Sequence, residues 1–386
     1  MSPLPTRGGE VVLLVTAAPS RRRFLALLVR LGRPKYLLYS WLLYTLGVAG
    51  AAFLGNTPSL GTYLHGLLFV WCTHLMTHYC NEYFDLAADA ANPAPTQWTG
   101  GSRVLVEGKL EPEVSLGASF VLLFVCLGLI PAMPRSGQYF ALTALALAWF
   151  YTAPPFRFNY RGLGELVVTT VLNGCFPMVG YVLAAGETGL LPTLLLLPAF
   201  LIQFVRMTIM NLLDHEGDWR VGKRTLVVLL GPGRILHLHA LGQALAYLLL
   251  VPAVLLWGLP ALVALCVAAT APLALWQVVR LYRGAHLDAR TRNSVVFWAS
   301  THCSLVVASA YVGLLLHAFL EVSFLSPEDP GSFSRLFLVP LGFYGGILLR
   351  QIQANLAQPS EVAPVQALPG LALPGSVGLG SGPATP

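Results

Sequence analysis

Long apolar runs alternate with short polar segments along most of the chain, and the run from Tyr36 to Leu54 contains no charged residue. A membrane-spanning helix needs about 20 predominantly apolar residues at 1.5 Å rise each. Runs that approach or meet that length fall at 36–54, 61–80, 115–132, 138–152, 164–185, 191–212, 235–257, 260–280 and 294–320. The pattern predicts an all-α fold, a polytopic transmembrane helix bundle of about nine spans. A shorter run at 335–349 fits either a tenth span or a helix lying in the interface.

Composition agrees: 56% of residues are hydrophobic and only 10% are charged, so lipid is the solvent for most of the chain. The net charge of +6 is distributed as topology requires and not as a nucleic-acid-binding face. Arg21, Arg22, Arg23, Arg30, Arg33 and Lys35 precede the first run, which by the positive-inside rule puts the N-terminus in the cytoplasm. Every second loop is then cytoplasmic, and those loops hold Arg103 and Lys109, Arg157 and Arg161, Arg220 to Arg234, and Arg280 to Arg292. The opposite loops hold little beyond Arg135 and Arg335. The six cysteines form no CxxC pair and read as buried thiols. Val11 to Val15 lacks the charged start and the length of a secretory segment, so no cleaved leader is expected. One membrane domain is expected over 24–350, between a disordered segment 1–23 and a Pro/Gly-rich disordered tail 351–386.

Two polar clusters interrupt this background. In NEYFDLAAD, Asn81, Asp85 and Asp89 are spaced i, i+4 and i+8, on one face of a continuous helix. In NLLDHEGD, Asn211, Asp214 and Asp218 are spaced i, i+3 and i+7 and repeat the logic. Carboxylates with an amide oxygen suit a hard divalent cation such as Mg²⁺, which shares its shell with water and substrate phosphates. Either cluster alone also reads as solvated helix-end acids. Two such arrays converging on one membrane side would repel unless a cation lay between them. Arg103, Lys109, Arg157, Lys223 and Arg224 lie in the same loops, as donors for a diphosphate or as plain positive-inside charge. Arg206 lies inside a run, two turns before Asp214, where pairing with an acid or an anionic ligand is expected. His74 and His78 have metal-ligand spacing but no HExxH context, and read as hydrogen-bonded lining of a cavity.

NEYFDLAAD and DHEGDWRVGKRTL resemble the two aspartate-rich motifs of the UbiA superfamily of intramembrane prenyltransferases. YTAPPFRFNYRGLGEL resembles the loop after that family's fourth helix, with Tyr151 and Arg157 at its tyrosine and basic positions. GGSRVLVEGKL and the GKRTL ending are most similar to the branch that prenylates 1,4-dihydroxy-2-naphthoate in menaquinone synthesis. The resemblance implies a central cavity open to the cytoplasmic side and Mg²⁺-dependent transfer from a polyprenyl diphosphate to an aromatic acceptor. It implies Asn81, Asp85, Asp89, Asn211, Asp214 and Asp218 as metal ligands, with Asp85 and Asp214 as the catalytic acids. Arg103, Tyr151, Arg157, Lys223 and Arg224 would hold the diphosphate. His74, His78 and Arg206 would line the cavity. Other readings are a terpene cyclase or a non-aromatic acceptor within the same superfamily and, in another class, an ion-coupled secondary transporter.

Overall fold

A computed structural model describes residues 20–357 apart from 94, 97, 289 and 322–331. The first helices are α1 (Arg21–Gly32), α2 (Leu37–Phe53), α3 (Leu60–Phe84), α4 (Leu86–Ala91), α5 (Pro112–Leu129) and α6 (Arg135–Trp149). After them α7 (Gly164–Thr169) runs through a π-helical turn at Thr170–Cys175 into α8 (Phe176–Ala185). α9 (Leu191–Arg220) is followed by α10 (Leu226–Leu230), α11 (Pro232–Leu248), α12 (Leu250–Leu255), α13 (Ala261–Ala268), α14 (Ala271–Tyr282), α15 (Arg292–Glu321) and α16 (Ser332–Ala357). Among the described residues there is no strand, only an isolated bridge between Arg161 and Arg224.

Seven helical stretches among the described residues are long and apolar enough to cross a membrane. The two remaining expected spans are helices of a different character. α3 is long, but His65, His74, His78 and several threonines dilute its apolarity. α6 has only 15 residues, a length of about 22 Å. Among the described residues Phe124, Leu255 and Leu265 stand exposed on the outer surface, as lipid-facing side chains of a membrane bundle do. α2 packs on α8, α3 on α5, and α9 on α11 and α15. The α2–α8 crossing is close because it is made by glycines: a Cβ on Gly47 would collide with the carbonyl of Pro177, and one on Gly180 with that of Tyr44.

Both ends of the bundle extend past the expected boundaries. α1 begins at Arg21, inside the segment set apart as disordered, because Leu27 and Leu31 bury against Tyr79, Val104, Leu105 and Leu110. The run at 335–349 is the middle of the 26-residue α16, whose helix continues through 351–357 and packs on α2 and α15. Residues 1–19 and 358–386, which hold most of the two expected disordered segments, lie outside the described residues.

Candidate active site

The C-terminal ends of α3 and α9 meet at one end of the bundle. Asp85 terminates α3 at φ −96°, ψ 4°, and α4 restarts at Leu86, so the first motif is two helices and not the continuous one its spacing suggests. The break leaves Asn81, Asp85 and Asp89 on a common side all the same. With Asn211 and Asp214 of α9 they line one cavity of about 200 Å³. The second motif is unbroken helix, and its Asp218, one turn farther along α9, is 3% exposed, pairs with Lys223 and is not among the residues lining the cavity.

Lys223 occupies the gap between the motifs. Its Nζ is 3.3 Å from Asp85 Oδ2 and 3.3 Å from Asp218 Oδ1. Burial alone would make its ammonium easier to deprotonate, but the two carboxylates hold it well above the ordinary lysine value. The cation that two converging acidic arrays require is therefore, in this structure, a side chain of the chain itself. Burial pushes the Asp89 carboxyl up to about 8, with Arg33 opposing the shift.

Neighbouring side chains fix the amides. Thr152 donates its hydroxyl to Asn81 Oδ1 at 2.9 Å. Asn211 donates its Nδ2 to Glu165 Oε1 at 2.8 Å, which leaves its amide oxygen for the cavity. Glu165 is fully buried on α7, and the same oxygen accepts the Leu226 N–H at 3.0 Å, so it joins α7, α9 and the start of α10. Glu82 has a parallel role on the other motif. It pairs with Arg33 and accepts from the Ser102 amide and hydroxyl, both at 2.7 Å, holding the Gly100–Gly101 loop against α3. Gly101 has φ +74°, and a Cβ there would run into the Asp89 carboxylate.

The basic residues divide. Tyr151 and Lys223 line the cavity. Arg103 instead donates to the carbonyl of Asp89 at 2.5 Å, closing the end of α4. Arg157 stacks 3.7 Å over the Tyr160 ring, and Arg224 takes part in the bridge to Arg161. None of these three arginines is on the cavity wall. Arg206 lines the cavity, yet its donors go to Gln203 Oε1 and Ser300 Oγ, both at 3.0 Å, and to Met210 Sδ at 2.9 Å, not to an acid. It lies eight positions before Asp214, about 12 Å along the axis, too far for an ion pair between the two, so of the expected partners, an acid or an anionic ligand, this acid does not supply the pairing.

His74 and His78 stack with ring centroids 4.8 Å apart on the wall, and His74 Nδ1 is 3.0 Å from Ser40 Oγ. Arg33, Tyr36, Tyr39, Trp98 and Asn159 also line the cavity without having been singled out in the sequence. Arg33 stood only as one charge in a basic run. The tyrosines read as ordinary members of an apolar span. Past the acids the wall turns apolar through Val168, Val171, Leu172 and Phe176, the first three carried by α7 and the π-helical turn.

A bundle of spanning helices with an acid-lined chamber at one end and an apolar extension into its interior is the architecture of an integral membrane protein able to take a ligand with a polar head and an apolar tail. Residues 41–301 match the UbiA prenyltransferase family, and the chain belongs to it. It is a prenyltransferase. The digeranylgeranylglyceryl phosphate synthase of Thermococcus kodakarensis is 31% identical over 219 residues, 55% of this chain and 72% of that one. The 1,4-dihydroxy-2-naphthoate octaprenyltransferase of Bacillus subtilis is 24% identical over 234 residues, 60% of this chain and 74% of that one. Among solved structures, a UbiA homolog from Archaeoglobus fulgidus bound to GPP and Mg²⁺ shares the fold with a TM-score of 0.53 and 18% identity, over 75% of this chain and 99% of that one.

Proposed function

We propose that the protein transfers a prenyl group from a polyprenyl diphosphate to an aromatic acceptor such as 1,4-dihydroxy-2-naphthoate, as in menaquinone synthesis, with Mg²⁺ as cofactor. The observation that carries the reading is the convergence of Asn81, Asp85, Asp89, Asn211 and Asp214 from two helices on one chamber whose far wall is apolar. The named relatives support the donor class: their printed activities include naphthoate prenylation, and the Archaeoglobus homolog binds GPP with Mg²⁺.

The donor set fits a hard divalent cation. Asp85 Oδ1 and Asp218 Oδ2 are buried without a hydrogen-bond partner among the described residues, and the chamber oxygens come from carboxylates and amides. Among the described residues no three acid, His or Cys side chains enclose an ion by themselves. Bound there, Mg²⁺ would take its remaining ligands from water and from phosphate oxygens. Asn81, Asp85, Asp89, Asn211 and Asp214 would hold it, with Asp218 entering if Lys223 moves aside. Bound Mg²⁺ supplies positive charge to a departing diphosphate.

The chain's own groups do the rest. Lys223 and the Tyr151 hydroxyl present donors to diphosphate oxygens, and Arg103, Arg157 and Arg224 position the loops around that head group. The prenyl C–O bond breaks with its electron pair leaving on oxygen. The apolar wall keeps water from the allylic cation until an electron-rich ring carbon attacks it. Once the new bond has formed, the ring carbon gives its proton to a carboxylate of the reacting centre, Asp85 or Asp214. The positive-inside distribution of Arg and Lys supports a cytoplasmic orientation for this end of the bundle and for the N-terminus.

A non-aromatic acceptor is the second reading, favoured by the similarity to the glyceryl phosphate enzyme. Mass spectrometry of products from geranylgeranyl diphosphate offered with 1,4-dihydroxy-2-naphthoate or with a glyceryl phosphate ether decides between them. A prenylated naphthoate is expected, and product only from the glyceryl ether would replace the first reading with the second.

A further inference from the structure

A second cavity of about 80 Å³ adjoins the chamber, enclosed by α2, α9, α15 and α16. The two share Tyr36, Tyr39, Trp98 and Arg206 as lining residues. Its chemistry is the reverse of the chamber's. Lys35 and Arg206 both line it and no Asp or Glu does.

Two further observations point to an absent acceptor of hydrogen bonds. Gln203 is fully buried on this wall, and its Oε1 takes the Arg206 Nε–H, which fixes the amide so that Nε2 is the free end. That Nε2 has no partner among the described residues, and neither does the Trp98 indole N–H. Buried donors without acceptors are costly, about 1–3 kcal/mol each, and ordinarily mark a place where a ligand or water belongs. The guanidinium is satisfied only by neutral groups, so its charge is uncompensated locally. Lys35 Nζ lies 4.1 Å over the Trp98 ring, beside the same opening. α16 closes the far side through Tyr344, Ile347, Leu348 and Gln351, and it lies beyond the residues that match the family.

We infer that this side cavity is an anion subsite, in which Arg206, Lys35 and Gln203 hold a single carboxylate or phosphate of the acceptor while the rest of that molecule reaches past Trp98 toward the chamber. The inference rests on the prenyl-transfer reading for the word acceptor, but not for the binding itself. The volume suits the anionic group alone, because one water takes up about 10–15 Å³ of such space and a fused ring many times that. The guanidinium and ammonium discriminate for charge, and α16 sets how much bulk can accompany it.

The test is calorimetric titration of the detergent-purified full chain, without Mg²⁺ or prenyl diphosphate, with 1-hydroxy-2-naphthoate, with 1-naphthol, and with glycerol 1-phosphate. Naphthoate is expected to bind at least about tenfold more tightly than naphthol, with the difference lost in Arg206→Gln. Gln203→Leu weakens binding less, and Leu348→Trp, which fills the cavity without touching its charge, abolishes it. Glycerol 1-phosphate binding with the same variant pattern makes phosphate the group that is held, and its absence makes the carboxylate that group. Equal affinity for naphthoate and naphthol, or wild-type affinity in both Arg206→Gln and Leu348→Trp, overturns the proposal. Binding of geranylgeranyl diphosphate with Mg²⁺ is measured separately on the same protein. Its failure alone sinks the prenyl-transfer reading and leaves the anion result standing.

Discussion

The ammonium of Lys223 stands 3.3 Å from Asp85 across the junction of the two aspartate motifs and makes a second contact of the same length to Asp218. All three side chains are nearly buried, so this is an internal counter-ion and not a surface pair. It ties the end of α3 to the loop after α9, and the proposed reaction would use it as a donor to the diphosphate.

Replacing Lys223 with Met removes that counter-ion and leaves two carboxylates facing each other. Breaking a buried pair in this way costs about 3–5 kcal/mol. A clear fall in Tm is expected by scanning fluorimetry in detergent. Mg²⁺ should recover part of the loss, because a divalent cation can take over the same charges. A Tm unchanged by the substitution would show that the contact contributes nothing to the fold.

Glu165 is a positioning residue for Asn211. Glu165→Ala orphans the Asn211 amide and the Leu226 N–H, each worth about 1–3 kcal/mol when buried. The apparent Mg²⁺ requirement for pyrophosphate release should rise about tenfold or more, with Glu165→Gln restoring part of it. Equal Mg²⁺ dependence in wild type and Glu165→Ala would remove Glu165 from the site's support.

At Gly101 a methyl group both meets the Asp89 carboxylate and forces a left-handed φ on a non-glycine residue. The backbone part alone costs about 1–2 kcal/mol. Gly101→Ala is therefore expected to lower kcat/KM for the prenyl diphosphate by at least about tenfold while the helix content, read by circular dichroism, stays at wild-type level. A loss of helix content in proportion to activity would mean that the glycine serves the fold and not Asp89.

The α2–α8 crossing gives a purely structural prediction. Gly47→Val places a branched side chain against the Pro177 carbonyl and should yield aggregated protein by size-exclusion chromatography. Gly117→Ala on α5, where nothing lies within 4 Å of a new Cβ, should elute as wild type. Similar profiles for the two variants would contradict the close packing.

Much of this architecture was legible because apolar runs of spanning length and oxygen-rich clusters are visible at short sequence separation. Spacing alone brought Asn81, Asp85 and Asp89 to one side, although the backbone reaches that result through a break at Asp85 that periodicity does not reveal. What the sequence withheld depends on long-range contacts. Nothing local distinguishes Lys223, which bridges the motifs, from Arg224, which joins a backbone bridge to Arg161. Arg103 and Arg157 carry the charge expected of them but spend it on a helix end and a tyrosine ring. Arg206 was recognisable as costly, while its neutral partners come from α9 itself and from α15, 94 residues on. The second cavity needs α16, whose short apolar run gave no sign of what it covers.

In the proposed reaction the two aspartate motifs act together to activate a prenyl diphosphate. The direct measurement is pyrophosphate release from geranylgeranyl diphosphate by the detergent-purified protein, with and without Mg²⁺ and 1,4-dihydroxy-2-naphthoate, in wild type, Asp85→Ala and Asp214→Ala. Release that requires Mg²⁺ and the naphthoate, and falls by about a thousandfold or more in each variant, is the predicted result. Release that persists in either variant, or that proceeds equally without Mg²⁺, would contradict it.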